Sequence, residues 1–190
     1  MIFNQHSELE GKHAFLSASQ YHWLNYDPEK LAKTYSSMLA KAKGTELHDY
    51  AARSIKLGQK LKACHKTLNL YVNDAIGFRM TPEQILYYSP NCFGTTDAIY
   101  YGVEKGGRKV LRIHDLKTGD TPASMNQLMI YAAIFCLEYH VTPAEIRIEL
   151  RIYQFDDYTV YEPTAQEVID IMDKIIESDK IIDDVKYKEG

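Results

Sequence analysis

Residues 97–117 read DAIYYGVEKGGRKVLRIHDLK. Two runs rich in aliphatic and aromatic residues flank the glycine-rich turn EKGGR, which predicts a β-hairpin of strands at 95–101 and 109–116. Side chains two apart on a strand share a face. Leu111, Ile113, Asp115 and Lys117 therefore form one row, and Val110, Arg112, His114 and Leu116 the other. Folding about Gly106 sets Tyr101 opposite Leu111, Ile99 opposite Ile113, Asp97 opposite Asp115 and Thr95 opposite Lys117. Apolar residues meet until acid meets acid.

Directly opposed residues of an antiparallel pair have Cβ atoms about 4.5–5.5 Å apart, and like charges so placed are destabilising. Two arrangements relieve the conflict. One carboxyl stays protonated with a raised pKa, or a divalent cation such as Mg2+ or Mn2+, which favour oxygen ligands, lies between them. A cation held by two carboxylates activates water and polarises a phosphoryl oxygen, and a neighbouring lysine stabilises the charge that develops, so the pattern suits phosphodiester hydrolysis. The competing reading is an exposed strand end carrying an Asp115–Lys117 salt bridge.

Downstream, Ser124 is expected to cap a helix over 125–139, which places Gln127 and Tyr131 four apart on one face. The segment EIRIELRIYQF alternates Ile146, Ile148, Leu150 and Ile152 with Arg147, Glu149 and Arg151, predicting a half-exposed strand. YTVYEP is a candidate to extend the sheet. Thr164 and Glu167 have capping-box spacing for a last helix over 165–177, followed by a loosely held tail. Upstream, a short helix precedes Asp27-Pro28, a second runs to about 43, and a third starts at Thr45 and ends near Gly58. Residues 85–88 are an ambiguous strand between Pro82 and Pro90. His48 offers an imidazole, with a packing role as the plain alternative. Glu46 reads as a first-turn acid.

This order predicts one α/β (α+β) domain over 1–190, a mixed central β-sheet flanked by helices. It comprises a helical part at about 17–62, a core at about 85–160, and a C-terminal helix and tail at about 164–190. The 190 residues are 45% hydrophobic and 25% charged. Such a composition suits a soluble globular protein. No apolar run approaches the roughly 20 residues of a membrane helix, and the N-terminus lacks a signal pattern, so a cytoplasmic location without membrane association is expected. Cys64, Cys92 and Cys136 are scattered, which argues against a disulfide framework or metal cluster. A net charge of −4 does not advertise nucleic-acid binding. Lys30, Lys33, Lys41, Lys43, Lys105, Arg108 and Lys109 are candidates for phosphate contact, against the plainer reading of a solvated surface.

Four stretches in order, GTELH (44–48), GTTD (94–97), HDLKTG (114–119) and NQLMIYA (126–132), resemble the PD-(D/E)XK nuclease superfamily, in particular its RecB-like branch and the phage-borne exonuclease-like proteins. LSASQYHWLNY is similar to the opening helix of such phage proteins, and the resemblance runs from about 17 to 155. It implies a restriction-endonuclease-like core and a Mg2+- or Mn2+-dependent deoxyribonuclease, an exonuclease in phage or bacterial recombination or repair. Asp97, Asp115, His48 and the Leu116 carbonyl would be metal ligands and Lys117 the catalytic lysine. Gln127 and Tyr131 would support the site or contact the DNA backbone, with Glu46 as a possible second acid. DNA is the implied substrate, and a recombinase, annealing protein or helicase the implied partner, in a bacterial host cytoplasm. The chain departs from cluster-bearing relatives in lacking four cysteines, and it has no GxxxxGK[ST] motif, so any ATP-driven unwinding would come from a partner. The alternative is a non-catalytic DNA-end or protein binding module on the same fold.

Overall fold

The hairpin forms in the register that the alternation dictates. In a computed structural model describing residues 14–104 and 106–189, Tyr101 pairs with Leu111, Ile99 with Ile113 and Ala98 with His114. Lys105 and the N-terminal segment that bears on a signal pattern lie outside the described residues. The chain falls into two compact units, divided between Lys43 and Gly44. Described residues of the first are a 3-10 helix, Ala18–Asn25, and helix α1, Pro28–Lys56, up to Lys43. Within this unit Trp23 donates its indole N–H to the Ser17 carbonyl at 3.0 Å, and Lys30 Nζ stands 4.6 Å from the Tyr26 ring centroid.

The second unit holds the rest of α1, helix α2 (Thr67–Gly77), strands β1 (Thr81–Ser89), β2 (Cys92–Val103) and β3 (Lys109–Leu116), helix α3 (Asn126–Glu138), strands β4 (Ile146–Gln154) and β5 (Asp157–Tyr161), and helix α4 (Ala165–Glu189). The five strands form one mixed sheet in sequence order, antiparallel except for the β3–β4 pair. Parallel neighbours need a long crossover, and α3 supplies it. The fold is therefore α+β, a mixed sheet flanked by helices.

Strand alternation divides the core between the two sheet faces. Ile99, Leu111, Ile113, Ile146, Ile148, Leu150 and Ile152 pack with α3 and with Val168 of α4. Ala98, Leu116 and Tyr153 pack on the other face with Ala51 and Ile55 of α1 and Tyr71, Val72 and Ala75 of α2. No helix among the described residues is long and apolar enough to cross a membrane.

Four expectations need correction. Thr45 does not start a helix: α1 runs unbroken through Gly44. A Cβ on Gly44 would stand 2.8 Å from Thr118 Oγ1. This glycine therefore serves close approach rather than helix termination. Ser124 is not the cap of α3; Met125 occupies the N-cap position. The tail after 177 is helical, because α4 extends through Lys188 and Glu189. At its start Thr164 N–H donates to Glu167 Oε2 at 2.8 Å and Glu167 N–H donates to Thr164 Oγ1 at 3.3 Å, which is the expected capping box. Finally, the charged row of β4 is covered rather than solvated. Glu149 is only 3% exposed, held by Arg147 at 2.6 Å and Arg151 at 2.8 Å. The two arginines are matched in turn by Glu104 and Glu162 and by Asp74 of α2, and Arg151 lies over the Phe78 ring, so the buried Glu149 charge is paired, as buried charges must be.

Candidate active site at a strand split

The β2–β3 ladder ends at Ala98–His114, one step before the two acids. From there β2 pairs only with β1, while β3 continues beside β4 through Leu116. Asp97 and Asp115 thus stand where two strands part. The pairing of Thr95 with Lys117 does not occur: the Lys117 N–H donates to the Tyr153 carbonyl at 2.9 Å. Asp97 spans the split instead, its Oδ2 accepting the Leu116 N–H at 2.8 Å. That bond fixes one carboxylate beside the residue that follows the other.

Asp115 is 3% exposed. Lys117 Nζ lies 2.8 Å from its Oδ2 and 3.0 Å from its Oδ1, but only the Oδ1 contact has hydrogen-bond geometry. The buried Oδ2 is left without a donor. Burial, and secondarily the charge of Asp97, raise the Asp115 pKa, with Lys117 and His48 opposing. His48 Nδ1 is 3.4 Å from Asp97 Oδ2, and this contact holds the imidazole pKa above its ordinary value despite partial burial. Gly44 and His48 lie four apart on α1, so the close approach at Gly44 and the histidine share a helix face.

From Lys117 a relay leads into α3. Nζ donates to Gln127 Oε1 at 2.9 Å, Gln127 Nε2 donates to the Tyr131 hydroxyl at 3.3 Å, and that hydroxyl donates to the Thr95 carbonyl at 2.7 Å. The four-residue spacing of Gln127 and Tyr131 is what lets both contribute. Gly94 makes the last bond possible, since a Cβ there would meet Tyr131 Cε1 at 2.9 Å.

The structure brings His48, Asp97, Asp115, Leu116, Lys117, Gln127 and Tyr131 together. Glu46 is exposed, and no contact described for this cluster involves it. Leu116 contributes its backbone; its side chain is core. Sequence reasoning missed Glu83. It lies on β1 between the Pro82–Ala98 and Gln84–Thr96 pairs, hence across from Asp97, with a left-handed φ of 53°. Partial burial and the Asp97 charge raise its pKa. Pro82 concealed it by reading as a strand boundary, although β1 is an edge strand and proline is tolerated on such strands.

The donor set is two carboxylates, one with a buried oxygen lacking a donor, and one imidazole. The carboxylate oxygens suit Mg2+ and Mn2+, whereas the imidazole is a donor more usual for softer transition metals. In this arrangement each acid faces a protein cation or imidazole, and among the described residues no three His, Cys, Asp or Glu side chains already converge as metal ligands. Comparison of the chain with protein-family models and with curated proteins finds no match, so a functional reading rests on the geometry of this cluster.

Proposed function

We propose that this protein is a metal-dependent deoxyribonuclease, an exonuclease of the PD-(D/E)XK type on a restriction-endonuclease-like core. The observation that carries the reading is the buried, incompletely bonded Asp115 beside Lys117, with Asp97 and His48 across the strand split. Asp97, Asp115, His48 and the Leu116 carbonyl would hold Mg2+ or Mn2+. When bound, that ion would activate water and neutralise charge on the phosphoryl oxygens.

The remaining roles belong to the chain. Gln127 holds the Lys117 ammonium in place, so its charge can meet the negative charge that grows on a phosphoryl oxygen without reorganising. Tyr131 fixes Gln127 and ties α3 to the Thr95 carbonyl, which keeps lysine and strand split in register. Asp115 is buried, so its contact with the Lys117 ammonium acts in a lower local dielectric than the exposed bonds of Gln127 and Tyr131. DNA is the proposed substrate and the bacterial or phage-infected cytoplasm the proposed setting, with a recombinase, annealing protein or helicase as partner.

A second reading, a DNA-end or protein binding module without cleavage, draws on one observation. Lys117 and His48 already face the two acids. Incubating linear and circular DNA with the protein and Mg2+ or Mn2+, beside Asp115→Ala and Lys117→Ala, decides between them. The nuclease reading expects metal-dependent loss of linear DNA only, abolished in both variants. DNA binding without cleavage in either metal, or cleavage undiminished in both variants, refutes it.

A further inference from the structure

Strands β4 and β5 are joined by two residues, Phe155 and Asp156, between the paired Gln154 and Asp157. Both have positive φ, 56° and 58° respectively. Two such residues in succession mark the type I′ loops where Asn-Gly and Asp-Gly predominate. Asp156 suits such a backbone. Phe155 does not: a bulky side chain in the left-handed region gains nothing locally to offset its strain.

The loop is clamped. Asp156 Oδ2 accepts from Lys66 Nζ at 2.6 Å, its Oδ1 accepts the Thr67 N–H at 3.0 Å at the start of α2, and its own N–H donates to Thr67 Oγ1 at 2.7 Å. Phe155 is therefore presented on a fixed mount, and it is 59% exposed. Its ring borders a cavity of about 290 Å³ that Lys117, Thr118 and Gly119 also line. Phe155 also lines a second cavity, of about 370 Å³, together with Pro122, Met125 and Tyr158. An exposed ring on a strained turn thus lines two clefts, one of them reaching the lysine of the strand split.

We propose that Phe155 is a base-stacking platform for a nucleotide next to the bond that is cut, an inference that rests on the DNA-cleaving reading above. The first cavity lies at the small end of ligand clefts, which run from roughly 300 to 1,000 Å³, and so suits a single planar group. Aromatic stacking accepts every base, because each has a π-face, so the platform confers affinity for strands that carry bases without a sequence preference.

The test compares kcat/KM, in Mn2+, for a short oligothymidylate and for a strand of equal length and charge whose nucleotides are abasic. The wild type is expected to favour the base-bearing strand by at least about fivefold, the lower end of a stacking contribution. Phe155→Asn, which accepts the left-handed backbone, should bring the ratio close to one without lowering the melting temperature, whereas Phe155→Trp should retain it. A ratio near one in the wild type, or an unchanged ratio in Phe155→Asn, overturns the platform while leaving the nuclease reading intact. A wild type that degrades linear duplex DNA in Mn2+ or Mg2+ but cuts neither oligonucleotide overturns the platform alone, and one that cleaves no DNA in either metal overturns both.

Discussion

Replacing Gly94 by alanine should disturb a helix thirty-odd residues away in sequence. The new Cβ would stand 2.9 Å from Tyr131 Cε1 and 3.4 Å from its Oη. Ordinary carbon contacts lie at roughly 3.5–4.0 Å. The ring has little room to retreat, since its hydroxyl is tied to the Thr95 carbonyl and to Gln127. Overpacking of this kind costs about 1–3 kcal/mol, against which alanine regains about 0.5–1 kcal/mol of glycine's backbone entropy in a strand. The net expectation is a destabilisation of up to about 2.5 kcal/mol, centred on about 1 kcal/mol, read from the urea midpoint with the m-value unchanged. A double-mutant cycle isolates the cause. In a Tyr131→Ala background the same Gly94→Ala change should cost nothing, or stabilise by up to about 1 kcal/mol. Equal cost in both backgrounds would refute the contact as the origin. Because the displaced ring releases Gln127, and Gln127 holds Lys117, any DNA cleavage should fall as well.

The buried titratable groups make stability depend on pH. Burial and Asp97 raise the Asp115 pKa, so its ionisation costs folded-state stability as pH rises through and above the ordinary carboxylate range. Asp115→Asn removes that cost and should raise the melting temperature by about 2–4 °C per kcal/mol recovered, while the proposed DNA cleavage should be lost. An unchanged or lower melting temperature contradicts this. His114 is fully buried, with Nδ1 3.2 Å from the Tyr153 hydroxyl and Nε2 unpartnered, and burial, with Arg151 and Arg112, holds its pKa well below 6.5. Below about pH 6.5 the unfolded imidazole binds a proton and the folded one does not, so its contribution to stability is lost as pH falls. His48 has the opposite sign: its pKa is raised above 6.5, which stabilises below that value and fades as pH rises through the folded one. The unfolding free energy of the wild type should therefore fall relative to His114→Gln by up to about 1.4 kcal/mol per pH unit between about pH 6.5 and 5.5, measured by urea titration. Parallel pH profiles would contradict it.

The hairpin register was legible because apolar alternation and a glycine turn leave few alternatives, and a slip by one residue would invert both faces. The end of its ladder was not. Nothing in Asp97 or Asp115 marks where β2 leaves β3, since that depends on β2 staying with β1 and β3 with β4 past the split. Thr45 was misread as a helix start for a related reason: a glycine followed by threonine suggests a break until Thr118, which packs where a Cβ on Gly44 would stand, is in place. Glu149 shows the same limit, because alternating charge signals solvent unless arginines on its own strand neutralise it. The relay through Gln127 and Tyr131 could be placed on one helix face by spacing, whereas its ends, Lys117 and the Thr95 carbonyl, required the crossover to be folded.

Whether Asp97 and Asp115 together hold a divalent ion is measured most directly by calorimetric titration of Mn2+ into the wild type, Asp115→Asn and Asp97→Asn. Saturable binding to the wild type, and loss of that binding in each variant, is the predicted result. Equal Mn2+ affinity in all three proteins, or no saturable binding to the wild type, would contradict it.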